Sequence, residues 1–286
     1  MEIQPRYDGP PIMTLDGGDG PDGGADVGRA CVRQRERLVA TLAGLDDDAW
    51  RAPSRCEGWT VQDVAAHVDS VNRFWAFSIA AGAAGSPTRA LVGFDPKATP
   101  AALVAAAGTP PPAETHARLA ESTAELASAI AALTPDQWAL PAETPSGHVP
   151  IRLLVHHALW DAWVHERDVA LPLGLAPPVE PDEVVAGLRF AAGLGPAFAV
   201  SHGFAEGPAT LVLDTHDPDA RVVVEVTDHV AVHGGPAPEE PTLTVHEAAV
   251  PLLEALSIRA PLALPVPPEQ AWLLTSLGTV FESTAS

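Results

Sequence analysis

One segment of the chain, residues 151–170 (IRLLVHHALWDAWVHERDVA), is apolar on nearly every side of a helix. A helix of this kind is buried on most of its faces, so other elements must surround it. His157, Asp161 and His165 follow one another at intervals of four residues and therefore share one helix face. Burying a carboxylate and two imidazoles is costly unless they are paired or bind a metal ion. The segment thus predicts a helical fold with a polar site in its interior.

Three earlier stretches show the spacing of amphipathic helices and would complete a bundle of four. They cover residues 26–45, 60–82 and 113–133. Thr60 is placed to cap the second helix, with Asp63 three residues later as a variant of the capping box. The Pro/Ala-rich connection between the second and third helices, about 25 residues long, exceeds the usual length of a structureless loop. We expect it to cross over the bundle or to cover a site.

The composition of the rest of the chain predicts its domain boundaries. Residues 1–25 are rich in Gly, Asp and Pro, which predicts a disordered tail. The bundle then covers residues 26–172, and a break at Pro172 leads to a second unit over residues 180–286. There a fifth helix precedes short β-branched runs, typical of antiparallel strands, and two more helices. The predicted fold class is a four-helix bundle followed by a small α+β domain.

The charge and the cysteine content limit the partners. The 286 residues include 16 Lys and Arg against 37 Asp and Glu, a formal net charge of −21. Such a surface repels phosphate backbones and anionic lipid, so we expect neither a nucleic-acid nor a membrane partner. Two cysteines are too few for a disulfide framework, and the N-terminus lacks the pattern of a signal peptide. We expect a cytoplasmic protein, monomeric or a small homo-oligomer, that acts on a small-molecule substrate.

A metal site is the main functional hypothesis. Asp161 and His165 are one helical turn apart, so their side chains can converge on one ion. His67 lies between Val64 and Val71 on the second helix, and this position also directs it to the core. Two imidazoles and a carboxylate suit Zn²⁺ or a similar divalent metal, and three ligands leave a position open for water or substrate. The spacing alone leaves a buried polar network without metal as the alternative.

Two neighbours could assist such a site. His157 is a candidate for a fourth ligand, an acid/base group or a residue that orients a ligand. Asp168 could accept a hydrogen bond from His165 and so fix the ring of a ligand. It could equally cap the helix or pair with Arg167.

Two blocks of sequence carry a family resemblance. They are SRCEGWTVQDVAAHV (residues 54–68), in which Trp59 and Thr60 open a helix, and WDAWVHERD (residues 160–168). In their content, order and separation they resemble the two signatures of the mycothiol-dependent maleylpyruvate isomerase family. The resemblance extends over nearly the whole chain from about residue 26 onward.

The resemblance implies a DinB-like bundle with zinc held by His, Glu and His. His67 and His165 match the two histidines, whereas Asp161 stands where the family normally has Glu. The resemblance further implies a sterol-carrier-like C-terminal domain with an Arg that helps to hold an acidic substrate or thiol. Arg259 is the candidate for this catalytic role, and mycothiol is the implied thiol cosubstrate.

Three functions follow as hypotheses. The first is a metal-dependent isomerase or thiol transferase, in which a thiolate adds to an electrophilic substrate. The second keeps the metal but activates water or a carbonyl group. The third is a metal- or ligand-binding module without catalysis.

Overall fold

The computed structural model describes residues 3–16 and 24–282. The helices in these residues are α1 (Ala25–Ala43), α2 (Asp47–Arg51), α3 (Val61–Ala83), α4 (Ala98–Ala107), α5 (Pro112–Ala131), α6 (Ile151–Ala170), α7 (Pro181–Ser201), α8 (Ala249–Leu256) and α9 (Trp272–Glu282). The strands are β1 (Met13–Asp16), β2 (Pro141–Thr144), β3 (Gly147–Pro150), β4 (Ala209–His216), β5 (Ala220–Val226), β6 (Val230–His233) and β7 (Leu243–Ala248).

The helical bundle is built from α1, α3, α5 and α6. Helix α3 packs along α5, and α1 packs against α5 and α6. Helix α6 is the most buried of the four, as its apolar composition predicts. The predicted capping box is present at the start of α3. The Thr60 hydroxyl accepts a hydrogen bond from the Asp63 N–H at 3.2 Å, and the Asp63 carboxylate accepts one from the Thr60 N–H at 2.9 Å. This cap fixes the start of α3 and hence the face on which His67 lies.

A short antiparallel hairpin, β2 and β3, connects α5 to α6 and carries a buried carboxylate, Glu143. Glu143 accepts hydrogen bonds from the Tyr7 hydroxyl at 2.7 Å and from the Thr88 hydroxyl at 2.6 Å. The backbone N–H groups of Ala90 and Leu91 donate to the same carboxylate at 2.8 Å. One side chain therefore joins the N-terminal segment, the long connection after α3 and the hairpin. That connection also contains α4.

The predicted tail over residues 1–25 is wrong for residues 3–16. This segment packs on the protein, and β1 pairs in parallel with β6 at the edge of the C-terminal sheet. The Gly- and Asp-rich composition that suggested disorder belongs to residues 17–23, which lie outside the described residues. The preceding part has enough apolar side chains to be buried: Ile3, Ile12, Met13 and Leu15.

The C-terminal sheet has five strands in the order β1-β6-β5-β4-β7. Strands β4, β5 and β6 form the antiparallel meander that the sequence predicts. The prediction is wrong for β7, which runs parallel to β4. The Pro-rich connection 234–242 carries the chain back along the sheet, so that β7 starts at the same end as β4.

Helix α7 joins the two parts of the molecule. It contacts α6 on one side and β6, α8 and α9 on the other. By length and composition it could cross a membrane. However, 78% of its apolar 18-residue stretch is buried inside the protein, as in the core helix of a globular fold. The connection between α6 and α7 spans the boundary proposed near residues 172–180.

Candidate metal centre

Three side chains converge between α3 and α6. Asp161 Oδ1 lies 3.6 Å from His165 Nε2 and 4.0 Å from His67 Nε2. One ligand atom from each residue lies within 4.8 Å of the other two. The i,i+4 spacing on α6 supplies the first two side chains, and the α3 face set by its cap supplies the third. The structure thus brings together the three residues that the sequence singled out.

The donor set fits a divalent metal ion. Asp161 Oδ2 is buried and has no hydrogen-bond partner among the described residues. An orphaned carboxylate oxygen inside a protein is costly, and a cation beside it would remove that cost. The two imidazole Nε2 atoms complete a nitrogen and oxygen set that suits Zn²⁺. The three side chains remain 10–16% exposed, so the cluster is not sealed from solvent.

Asp168 holds the imidazole of His165 from its other side. His165 Nδ1 lies 3.1 Å from Asp168 Oδ2, and the Asp168 side chain is fully buried. A hydrogen bond from Nδ1–H to this carboxylate leaves Nε2 free as the ligand atom on the side of Asp161 and His67. The structure therefore contains the hydrogen bond that an orienting role would need; the alternative pairing with Arg167 is not formed, since Arg167 binds Glu254 instead.

Burial and charge act against each other in this cluster. Burial lowers the pKa of His67, which favours the neutral imidazole that binds metals. Burial acts in the same direction on His165, but the carboxylates of Asp161 and Asp168 outweigh it and raise the pKa of His165 to about 10. Burial alone would raise the pKa of Asp161, yet His165 and His67 hold it well below its usual range. A bound divalent cation would favour the neutral imidazole of His165, because a metal-binding imidazole nitrogen carries no proton.

Two arginines and a cysteine surround Asp168. Arg259 Nε lies 3.0 Å from both carboxylate oxygens, and Arg55 Nε lies 3.1 Å from Oδ1. The Cys56 thiol donates to Oδ2 at 3.2 Å, and its sulfur lies 3.7 Å from His165 Nδ1. Arg259, the residue that the family resemblance suggests for binding substrate or thiol, therefore lies beside Asp168 at the edge of this cluster.

The comparisons with known proteins identify what the bundle and the overall fold are similar to. Residues 31–170 match the model of the mycothiol maleylpyruvate isomerase N-terminal domain family. Through this stretch, the chain belongs to that family. The matched region contains the bundle helices α3, α5 and α6, most of α1, and all three candidate ligands. No curated protein sequence matches the chain significantly.

Two solved structures show the same fold. A crystal structure of the mycothiol-dependent maleylpyruvate isomerase matches with a TM-score of 0.59 at 21% identity. The aligned region covers 87% of this chain and 97% of that chain. A crystal structure of a histidine-to-alanine mutant of the mycothiol-dependent maleylpyruvate isomerase has a TM-score of 0.58 at 20% identity, covering 85% and 91%. At these identities the likeness concerns the fold, and it extends beyond the family domain into the C-terminal part.

His157 is not part of the cluster formed by the three candidate ligands. Its ring packs among three aromatic side chains, with centroid distances of 4.8 Å to Phe190, 5.0 Å to Trp75 and 5.9 Å to Trp160. Burial lowers the pKa of His157 to about 4, which favours the neutral ring. These contacts give no support to the hypothesis of a fourth ligand.

Sequence reasoning missed two members of the site. Arg55 lies in the loop before the α3 cap, inside the first of the two family-like blocks, but no helical or strand periodicity marks its side chain as part of the site. Glu254 belongs to α8 and reaches Arg55 across 199 positions of the chain. A contact of that kind has no periodic signal in a single sequence.

Proposed function

We propose that this protein is a metal-dependent, thiol-using isomerase of a small electrophilic substrate. The observation that carries the proposal is the convergence of His67, Asp161 and His165, together with the buried Asp161 Oδ2, which has no hydrogen-bond partner among the described residues. The name of the family, and the names of the two similar crystal structures, supply mycothiol as the thiol and maleylpyruvate as the type of substrate.

The proposed reaction is a cis-to-trans isomerisation through reversible addition. A thiolate forms a C–S bond to one carbon of an activated double bond, and the π electrons move to the activating carbonyl group. The former double bond can now rotate. Return of the electrons expels the same thiolate and leaves the trans alkene, so the thiol is regenerated and no oxidant is needed.

The chain's own residues prepare this chemistry. His67, Asp161 and His165 would hold the metal, and the hydrogen bond to Asp168 would fix the orientation of the His165 ring. A bound divalent metal supplies a Lewis-acidic position at which a thiol loses its proton near neutral pH. The limited exposure of the cluster restricts bulk water around the thiolate while leaving a way in.

We assign Arg259 to binding the acidic substrate or thiol. Asp168 occupies its Nε atom, while Nη2 lies 3.8 Å from Cys56 Sγ at the rim of the cluster. The side chain is 23% exposed, so its remaining N–H groups are within reach of a carboxylate group that enters from solvent. A guanidinium group binds carboxylates in a planar, bidentate manner.

Elemental analysis together with an activity assay tests the proposal. We expect purified wild type to contain about one equivalent of zinc or a related metal, and to isomerise the substrate only with added thiol. His67→Ala should lose both metal and activity, whereas His246→Ala, at a histidine that is 72% exposed on the sheet, should keep both. Equal metal content in wild type and His67→Ala, or full activity after chelation, would refute the proposal.

Asp161 favours one alternative within the same fold. An aspartate is one methylene group shorter than the family's usual Glu, which reshapes the position left for substrate. The second candidate function is therefore a metal-assisted reaction that activates water or a carbonyl group. Turnover that needs the metal but not a thiol would favour this second function, and bound metal without any turnover would favour a binding module.

A further inference from the structure

Helix α8 reaches from the C-terminal part of the molecule to the metal-binding helix α6 through one buried carboxylate. Glu254 is 7% exposed. Its Oε2 accepts a hydrogen bond from Arg55 Nη1 at 2.7 Å, and its Oε1 accepts one from Arg167 Nε at 2.5 Å. A carboxylate with two charged donors at these distances, shielded from water, is held in one position.

Arg55 links this carboxylate to Asp168. While Nη1 binds Glu254, Nε binds Asp168 Oδ1 at 3.1 Å. The backbone N–H of Arg55 also donates to the Asp168 carbonyl oxygen at 3.0 Å. One guanidinium group therefore spans a carboxylate of α8 and a carboxylate of α6.

Two backbone hydrogen bonds at the end of α8 place Arg259 beside Asp168. The Arg259 N–H donates to the Glu254 carbonyl oxygen at 2.8 Å, and the Ile258 N–H donates to the Ala255 carbonyl oxygen at 3.0 Å. These two bonds form a Schellman turn, in which Ile258 takes the left-handed conformation with φ of 54°. A β-branched residue adopts that conformation at a cost, so the surrounding contacts must impose it. The turn directs Arg259 back onto Asp168.

The two oxygens of Asp168 share one partner and differ in the others. Arg259 Nε lies 3.0 Å from both; Oδ1 also accepts from Arg55, while Oδ2 lies against His165 Nδ1 and the Cys56 thiol. Glu254 binds the far end of the Arg55 guanidinium and so keeps this group on Oδ1. Without that anchor, Arg55 could rotate toward Oδ2 and compete with His165 for its acceptor.

We propose that Glu254 is a positioning residue whose carboxylate, through Arg55, fixes Asp168 and thereby the His165 imidazole, so that the docking of α8 sets the metal affinity of the bundle. The inference rests on the proposed function, since it takes His165 as a metal ligand. It adds to that function a coupling between the C-terminal part of the molecule and the metal site. Residues that orient a metal-binding imidazole typically alter metal affinity by about 10–100-fold.

The test is a double-mutant cycle on the full-length protein, with the dissociation constant of Zn²⁺ measured by competition with a chelator. We expect Glu254→Gln to weaken zinc binding about fivefold or more, and Asp168→Asn to weaken it about 10–100-fold. Because Glu254 acts through Asp168, the double variant should bind zinc within about twofold of Asp168→Asn alone. Arg55→Lys, which cannot span both carboxylates, should reproduce the effect of Glu254→Gln and serves if that variant folds poorly.

Arg33→Met is the matched control. Arg33 ties α1 to α7 through Glu183 and Asp182, so it also joins the bundle to the C-terminal part, but it makes no contact with Asp168. The zinc affinity of the Arg33→Met variant should stay within about twofold of wild type. Unchanged zinc affinity in Glu254→Gln, or singles whose effects multiply in the double variant, would overturn the inference.

A crystal structure of zinc-free Glu254→Gln separates this inference from the proposed function. We expect Arg55 to be displaced from Asp168, and an unchanged arrangement would overturn the inference whether or not the wild type binds metal. Zinc-binding wild type without thiol-dependent isomerase activity would remove the proposed reaction and leave the coupling intact.

Discussion

Asp161 is the residue at which local spacing and chemistry meet. One of its carboxylate oxygens, Oδ1, lies near both histidines, while the other, Oδ2, is buried without a hydrogen-bond partner among the described residues. The i,i+4 relation to His165 was readable in the sequence because α6 is regular and buried. The contact with His67 requires a second helix to lie alongside in a definite register. The apolar neighbours of His67 predict that it faces the core, and the family resemblance identifies it as the third ligand.

Asp161→Asn should abolish tight zinc binding. The amide keeps the size of the side chain but loses the charge, so the affinity should fall by more than the roughly 10–100-fold typical of a lost orienting residue. Asp161→Glu is the control: it retains a carboxylate and should retain zinc. Competition with a chelator measures both, and an Asn variant that binds zinc like wild type would remove Asp161 from the site.

The elements around the site differ in how far a single sequence predicts them. Helix α6 and the α3 cap follow from patterns within about 20 residues, and the structure contains both. Strand β1 and the parallel direction of β7 depend on partners far away in the chain. Such pairings leave no local pattern, so the sequence alone predicts a tail for the N-terminal segment and one more antiparallel strand for β7.

The cap of α3 gives a prediction at the scale of an element. Thr60→Ala removes the acceptor for the Asp63 N–H and should cost about 1 kcal/mol of the free energy of unfolding. Thr60→Ser keeps the hydroxyl group and should be close to wild type. Chemical denaturation of both variants measures the difference; equal stability of Thr60→Ala and wild type would show that the capping box does not stabilise α3.

At the scale of the whole molecule, Glu143 links segments that are distant in sequence. Burial would raise the pKa of this carboxyl group, but the hydrogen bonds from Ala90, Thr88, Tyr7 and Leu91 outweigh it and hold the pKa below its usual range. Its contribution to stability is therefore complete above the pKa of the unfolded chain. It is lost as the pH falls through the lower pKa of the folded state.

Glu143→Gln should lower the free energy of unfolding at pH 7 by about 1.5–3 kcal/mol, since bonds to a charged acceptor are replaced by weaker ones. The difference from wild type should shrink as the pH is lowered below about 4, where the carboxyl group of the wild type becomes protonated. Urea unfolding across this range measures both effects. A difference that stays constant with pH would show that Glu143 is not ionised in the folded protein.

The central claim is that one divalent metal ion binds between α3 and α6, and anomalous X-ray scattering tests it most directly. Crystals of the zinc-loaded protein, measured on both sides of the zinc absorption edge, should show a peak about 2.0–2.2 Å from His67 Nε2, His165 Nε2 and an Asp161 carboxylate oxygen. The absence of a peak at these residues, or a peak elsewhere in the molecule alone, would contradict the account.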